Sequence, residues 1–352
     1  MADIAKRLEE QILSARDEKR SLKIVGGGSK QFMGRPVEAD ELSVAEHSGI
    51  VEYQPVELVM TARAGTPLAE LEAALAENNQ MLSFEPPRFT DKATIGGTLA
   101  CNQSGPGRPW TGSVRDQVLG IRLINGQGEH LRFGGQVMKN VAGYDVSRLQ
   151  AGAMGTLGVI TEISLKVLPR PAATTTLVRE LPLDEAIHMM NNRAAEPKPL
   201  TGACWLDGKL YLRLAGARSA VDATASQWQG EPLEDADRFW AQLRDHSSDF
   251  FAGDRPLWRF SVNPTAPNPD LDGDWLVDWG GAQRWYRGEA QLSDMETLAA
   301  HAGGQVSLFR GGDRSGEVMH HQPAALKTIQ QRLKRSFDPE GIFNPGRLYT
   351  WM

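Results

Sequence analysis

Residues 93–120 read ATIGGTLACNQSGPGRPWTGSVRDQVLG, with six glycines in 28 positions. Such a run is a poor candidate for a long helix or strand, because glycine loses more backbone freedom on ordering than any other residue. It supplies instead N–H groups with no Cβ beside them, suited to a concavity in which a phosphate can lie. Two further segments have the same character: Ile24–Gly34 (IVGGGSKQFMG) and Lys139–Thr161 (KNVAGYDVSRLQAGAMGTLGVIT). The triple glycine alone reads equally well as a tight turn. Three clusters within 140 residues argue for one binding surface.

The chain has 352 residues, about two domains' worth. Its 36 glycines are skewed, 20 falling in residues 1–160, whereas eight of the nine tryptophans lie beyond residue 170. Two halves of different composition point to two domains with different tasks, and the Pro169-Arg-Pro171 run marks the expected boundary. A net charge of −6 argues against a general nucleic-acid binder. Two cysteines, Cys101 and Cys204, leave no room for a disulfide scaffold, a Cys-ligated iron–sulfur cluster or a Cys-based zinc site. The charged N-terminus lacks the apolar core of a secretory signal, and no apolar run reaches about 18 residues, so a cytoplasmic protein is expected.

Ile4, Leu8 and Ile12 predict a helix over residues 3–15. Strands are expected at Leu22–Val25, Ile50–Tyr53 and Leu58–Ala62, with Thr66 as N-cap and Pro67 as first residue of the next helix. Val118–Ile124 and Glu129–Phe133 flank an Asn125-Gly126 turn, and Leu157–Leu168 reads as a long strand. The second half reads as an antiparallel sheet with helices on one face. Its strands are 174–181, 202–205, 210–214, 258–262, 275–279 and 306–310, its helices 183–193 and 293–302, and its exposed loop 264–274.

The standard phosphate motifs fail. A dinucleotide fingerprint starting at Gly26 needs glycine where Gln31 stands, and Gly28-Ser-Lys-Gln31 breaks the order of a P-loop. Together, however, the three segments resemble the FAD-binding domain of the FAD-linked oxidases named after p-cresol methylhydroxylase (PCMH) and vanillyl-alcohol oxidase. The terminal FDPEGIFNPGR, residues 337–347, is similar to that family's closing D-P-x-x-x-x-N-P-G. The resemblance covers residues 22–170 and 337–347 in the family's order. It implies an α+β fold: a two-subdomain PCMH-type FAD-binding domain over residues 1–170, an α+β cap over 171–335, and a C-terminal segment, 336–352, that returns to the first domain.

By the same resemblance, Gly26, Gly27, Gly28 and Ser29 would hold the FAD phosphates. Thr94, Gly96, Gly97, Asn102 and Gly105 would line the centre of the cofactor. Gly152, Gly155, Thr156 and Val159 would line the rest, and Asn344 would reach the flavin or brace the loop beside it. Members with covalent flavin carry a histidine just after the first glycines. Here Ser29 stands there and no histidine precedes His47, so non-covalent FAD is expected.

Members that oxidise D-2-hydroxy acids carry a motif like H-x-G-D-G-N-x-H in the cap. The nearest echo, Phe309–His321, keeps Gly-Gly-Asp313 without flanking histidines, so no catalytic residue and no metal ligand is assigned. His320 and His321 read as a ligand pair or as surface residues. Arg310 and Arg314 read as carboxylate holders or solvated charge, and Trp258, Trp275, Trp279 and Trp285 as a flavin cap, a partner surface or sheet core. The chain resembles the smaller FAD-binding subunits of bacterial glycolate oxidases. That implies a larger flavin subunit with the histidine motif and an iron–sulfur subunit as partners, and glycolate as a small 2-hydroxy acid substrate of the complex. Contact with a membrane would be indirect, through the complex. A self-sufficient FAD-dependent 2-hydroxy-acid dehydrogenase and a structural subunit without redox turnover remain alternatives.

Overall fold

The structure is a computed structural model that describes residues 3–135 and 144–352. The first five residues of the third glycine segment, 139–143, lie outside the described residues.

Two sheets organise the chain. The first has five antiparallel strands in the order Ile50–Gln54, Val59–Arg63, Val159–Lys166, Val118–Ile124, His130–Gly134. Its inner face buries Met60, Ile121, Leu123, Ile163 and Leu165 against Leu68, Leu71 and Leu75 of the Leu68–Ala76 helix. Thr66 does not cap that helix. Pro67 is the N-cap residue, and the Thr66 hydroxyl donates to the carbonyl of Arg63 at 2.7 Å and accepts from the Gly49 N–H at 2.9 Å. The expected cap is thus a buried staple between two loops.

A smaller layer forms where Leu22–Val25 pairs in parallel with Asp40–Ser43. Leu8, Ile12 and Ala15 of the Ala5–Asp17 helix pack on it, together with Ile342 and Phe343. The Leu22 N–H donates to the Ile342 carbonyl at 2.7 Å, and the Asn344 N–H to the Leu22 carbonyl at 2.9 Å. The end of the chain therefore completes its beginning. The 14-residue helix Ala324–Phe337, which sequence periodicity did not single out, carries it there.

The second sheet has eight strands: Glu231–Pro232, Ala173–Glu180, Lys209–Gly216, Leu200–Leu206, Asp274–Asp278, Gln283–Arg287, Leu257–Ser261 and Gln305–Arg310. All its pairings are antiparallel. Asp207 (φ 49°) and Gly208 (φ 76°) form the tight turn that their sequence predicts. One face is covered by helices Leu183–Ala194, Arg218–Trp228 and Leu292–His301, through Ile187, Met190, Val221, Trp228, Met295 and Ala299. Helix Ala236–Asp245 is the exception. Its Trp240 and Leu243 sit on the other face with Cys204, Leu206 and Trp285, and there they meet Met33 and Met154 of the glycine-rich half. The α+β class read from the sequence is the class found, with one helix on the opposite face. Loop 264–274 is mostly exposed, as expected. The fully buried Arg284 pins it by donating to the carbonyls of Ala266 and Pro267.

Candidate functional site

The first strand ends at Val25, and the chain turns through Gly26–Lys30 into the space between the small layer and the five-stranded sheet. Among the described residues, none of the five N–H groups from Gly26 to Lys30 donates a hydrogen bond to the protein. Gln31 N–H is the first to do so, to the Gly28 carbonyl at 3.3 Å. A run of unpaired N–H groups is a nest for an anion. The glycines are sterically required. A Cβ on Gly27 would lie 1.5 Å from the Lys92 carbonyl oxygen, and one on Gly26 would lie 2.7 Å from Thr94 Oγ1. Gly28 adopts φ +73°, and its missing Cβ would meet only the Gln31 side chain within 4 Å, so this residue borders open space.

Nine of the residues singled out in the sequence line this one cleft: Gly26, Gly27, Gly28, Ser29, Thr94, Gly96, Gly97, Gly155 and Asn344. Thr94 caps the Ile95–Ala100 helix by accepting from the Gly97 N–H at 3.2 Å. Gly96 lets that helix touch Ala64, whose Cβ and carbonyl oxygen would stand 2.7 Å from any Cβ. Asn344 proves to be a brace. Its Oδ1 accepts from the Ile24 N–H at 2.9 Å and its Nδ2 donates to the Met154 carbonyl at 2.6 Å, so it ties the first loop to the third.

The other five stand apart. Val159 is fully buried among Leu8, Ile12 and Phe343. Thr156 is fully buried; its hydroxyl donates to Ala153 and its carbonyl accepts from Lys334. Gly105 packs against Glu85 and accepts from Trp279 Nε1 at 3.0 Å, which makes it part of the contact between the two sheets. These three serve packing rather than the cleft. Asn102 (φ 49°) and Gly152 (φ 88°) face each other behind the cleft, and Asn102 Oδ1 is buried without a partner among the described residues.

Sequence reading missed two basic side chains that line the cleft, Lys30 and Arg347. Neither makes an ion pair among the described residues. Burial pushes both below their ordinary pKa values. Buried cations without carboxylates, beside an unpaired N–H nest, are what a polyanion such as a pyrophosphate needs. The glycine cradle and these two cations fit an FAD diphosphate.

The remaining candidates sort by burial. Trp258, Trp275, Trp279 and Trp285 are all buried. Trp258 and Trp275 pack on the helical side of the second sheet, while Trp279 and Trp285 face the first half. The His321 imidazole is exposed and paired with Glu296 at 2.7 Å, and His320 accepts from the Val306 N–H at 3.4 Å, so this pair staples a loop to the sheet. Arg314 donates twice to the Gly34 carbonyl, at 2.9 and 2.7 Å, and so clamps the two halves together. Among the described residues no three His, Cys, Asp or Glu side chains converge as metal ligands would, and no helix is long and apolar enough to cross a membrane.

Asp278 is 3% exposed, its Oδ1 lacks a partner among the described residues, and burial pushes its carboxyl up to about 8 from an ordinary 3.8. A carboxyl that holds its proton more tightly when folded favours folding below the unfolded value, and that contribution is lost as pH rises toward the folded one. The melting temperature is therefore expected to fall by several degrees between pH 5 and pH 8. Asp278→Asn should flatten this fall, read by thermal denaturation at both pH values. An unchanged slope in the variant contradicts the assignment.

Comparison with known proteins agrees with this geometry. Residues 5–134 match a family model described as an FAD binding domain. The chain is 48% identical over 348 residues to the glycolate oxidase subunit GlcE of Escherichia coli K12, covering 99% of this chain and 98% of that one. It is 25% identical to a D-lactate dehydrogenase of Archaeoglobus fulgidus, over 96% of this chain and 88% of the relative. The solved structure of an alkyldihydroxyacetonephosphate synthase superposes with a TM-score of 0.66 at 14% identity, over 97% of this chain and 75% of that one, and so shares the fold. Identity sustained from end to end, on a fold whose first half builds an anion cradle of glycine, places this chain in the PCMH-type FAD-linked oxidoreductase family, in the branch that contains the glycolate oxidase subunit.

Proposed function

We propose that this chain is an FAD-bearing subunit of a glycolate oxidase complex, which turns glycolate into glyoxylate and passes the electrons to an iron–sulfur subunit. The observation that carries the reading is the nest of unpaired N–H groups at Gly26–Lys30, in a chain that matches a glycolate oxidase subunit along its whole length. Bound FAD supplies a two-electron acceptor for the oxidation. The N–H groups of Gly26–Lys30 would hold its phosphates, with Lys30 and Arg347 providing charge. Residues 1–170 would carry the FAD and 171–335 the reduced cap, with 336–352 closing the first unit. A larger flavin subunit bearing the histidine motif would complete substrate oxidation, and any membrane contact would be made through the complex.

The flavin is held without a covalent bond. Ser29 stands where a tethering histidine would, and His47, the first histidine of the chain, is buried with its Nδ1 accepting from the Ile4 N–H at 3.1 Å. Acid precipitation should leave all flavin in the supernatant, and a yellow pellet would overturn the statement. The wider reading is tested by reconstituting the complex with and without this chain. Loss of glycolate-dependent dye reduction on its omission supports the role, and undiminished reduction refutes it.

A further inference from the structure

We propose that a cavity at the seam of the two halves, beside the linker Pro169-Arg170-Pro171, binds an aliphatic monocarboxylate. The cavity shares no lining residue with the cofactor cleft, and the inference does not depend on the flavin reading. It assigns binding, not turnover, to these residues.

The cavity has a volume of about 740 Å³, the size of a small-molecule site. Helix Leu68–Ala76 turns its leucines to the core of the first half and presents Ala69, Glu72 and Ala73 to this cavity. The short strand Gln80–Met81 forms another wall and pairs antiparallel with Leu168–Pro169, where the linker begins. The cap contributes Thr174, Thr201 and Arg213 from three neighbouring strands, and Arg244 from helix Ala236–Asp245. Both halves and the linker therefore enclose one space.

Four arginines line it, Arg88, Arg170, Arg213 and Arg244, against two glutamates, Glu72 and Glu85. Three of the four are paired. Arg213 meets Glu85 at 2.7 Å, Arg88 meets Glu72, and Arg244 holds both oxygens of Asp245, at 3.0 and 2.6 Å. Arg170 is in no ion pair among the described residues. Its backbone N–H donates to the Asn79 carbonyl at 2.9 Å and its Nε to the Gln80 carbonyl at 3.2 Å. These two bonds fix the side chain in the wall and leave its terminal nitrogens without an acceptor among the described residues. The cavity thus carries one positive charge in excess. A monoanion balances it, whereas a dianion would set a second negative charge beside Glu72 and Glu85.

The rest of the wall narrows the ligand further. Met81, Leu82, Pro169 and Pro171 are apolar, as are the methyl groups of Ala69 and Ala73, so a hydrocarbon body has somewhere to lie. Leu82 is 4% exposed, which carries this apolar wall below the surface. No aromatic ring lines the cavity, so an aliphatic body suits it better than a planar one that needs a stacking partner. The guanidinium fork matches a carboxylate. Two contacts already cross the seam here, Arg213 to Glu85 and the Arg88 N–H to Asp245 at 3.0 Å. A ligand touching both halves and the linker adds to them and stabilises the docked arrangement.

The test titrates the full chain with octanoate by isothermal titration calorimetry. Saturable one-to-one binding is expected, and octanoate at saturation should raise the melting temperature by about 2–4 °C. Butyrate should bind about ten-fold more weakly or worse for want of the hydrocarbon body. 1-Octanol, which lacks the charge, and inorganic phosphate, which lacks the body, should do no better. Arg170→Gln should weaken octanoate about ten-fold, while Arg170→Lys should keep most of the affinity. Ala73→Phe fills the cavity from an exposed helix position and should abolish binding with every arginine in place. Melting curves without ligand show whether the variants fold, and if Ala73→Phe does not, the two Arg170 variants decide. The proposal is overturned by absence of saturable binding, by octanol or phosphate binding as tightly as octanoate, or by wild-type affinity in Arg170→Gln or in folded Ala73→Phe. Release of bound flavin by octanoate would place the ligand in the cofactor cleft and overturn it as well.

Discussion

Replacing Lys334 with methionine is expected to destabilise the chain by about 3–5 kcal/mol, the usual result of removing one member of a buried ion pair. Lys334 Nζ sits 2.6 Å from Asp338 Oδ2 and donates to the carbonyls of Thr156 and Phe343, both at 2.8 Å. Asp338 is 1% exposed and accepts from the N–H groups of Ile342 and Phe343 at 3.1 and 2.8 Å. One cation thus ties helix Ala324–Phe337, the bend at Thr156 before strand Val159–Lys166, and the closing segment into a single unit. In Lys334→Met the carboxylate stays buried with no counter-charge. Adding Asp338→Asn should recover part of the loss, because the amide oxygen still accepts from the backbone while the uncompensated charge is gone. Denaturant melts of the two variants check this. A double variant no more stable than the single would show that charge is not the reason.

Gly27→Ala is expected to lower FAD affinity about 100-fold or more while leaving both sheets folded. The new Cβ would fall 1.5 Å from the Lys92 carbonyl oxygen and 2.5 Å from its carbon, a backbone group that cannot swing aside as a side-chain tip could. The loop has to move, and it carries the unpaired N–H groups of Gly26–Lys30 with it. Loss of two charge-assisted hydrogen bonds, at about 1.5–3 kcal/mol each, corresponds to at least that change in affinity. FAD content after gel filtration reads the effect, and circular dichroism reads the fold. Wild-type FAD content in the variant would remove the loop from the cofactor site.

The glycine clusters were legible in the sequence because each glycine marks a local condition, a positive φ or a backbone approach, that neighbouring residues already imply. That legibility had a limit. Thr156 and Val159 lie in the same motif as Gly155, yet Gly155 lines the cleft, with Gly158 and Ile160, while Thr156 and Val159 do not; strand alternation and a buried lysine turn those two into core. Thr66 looked like an N-cap because the pattern of Thr-Pro before an apolar repeat is a local signal. Its hydroxyl found better partners in Gly49 and Arg63, brought near by strand pairing. Lys30 and Arg347 left no signal at all, since one basic residue in a loop reads the same whether it faces water or a buried cleft.

The sequence by itself determined the α+β class, the antiparallel character of the second half, and a cofactor cradle built of glycine in the first. All three follow from short-range constraints: periodicity along strands and helices, and the absence of Cβ where backbone must bend or be approached. Only the tertiary structure decided that Asn344 braces two loops it follows by almost 200 residues or more, and that His321 is surface. It alone brought Lys30 and Arg347 into one cleft. Those two cations stand 317 positions apart in the chain and are joined by the packing of the closing segment onto the first strand, a relation between distant segments in which no residue carries a mark of its partner.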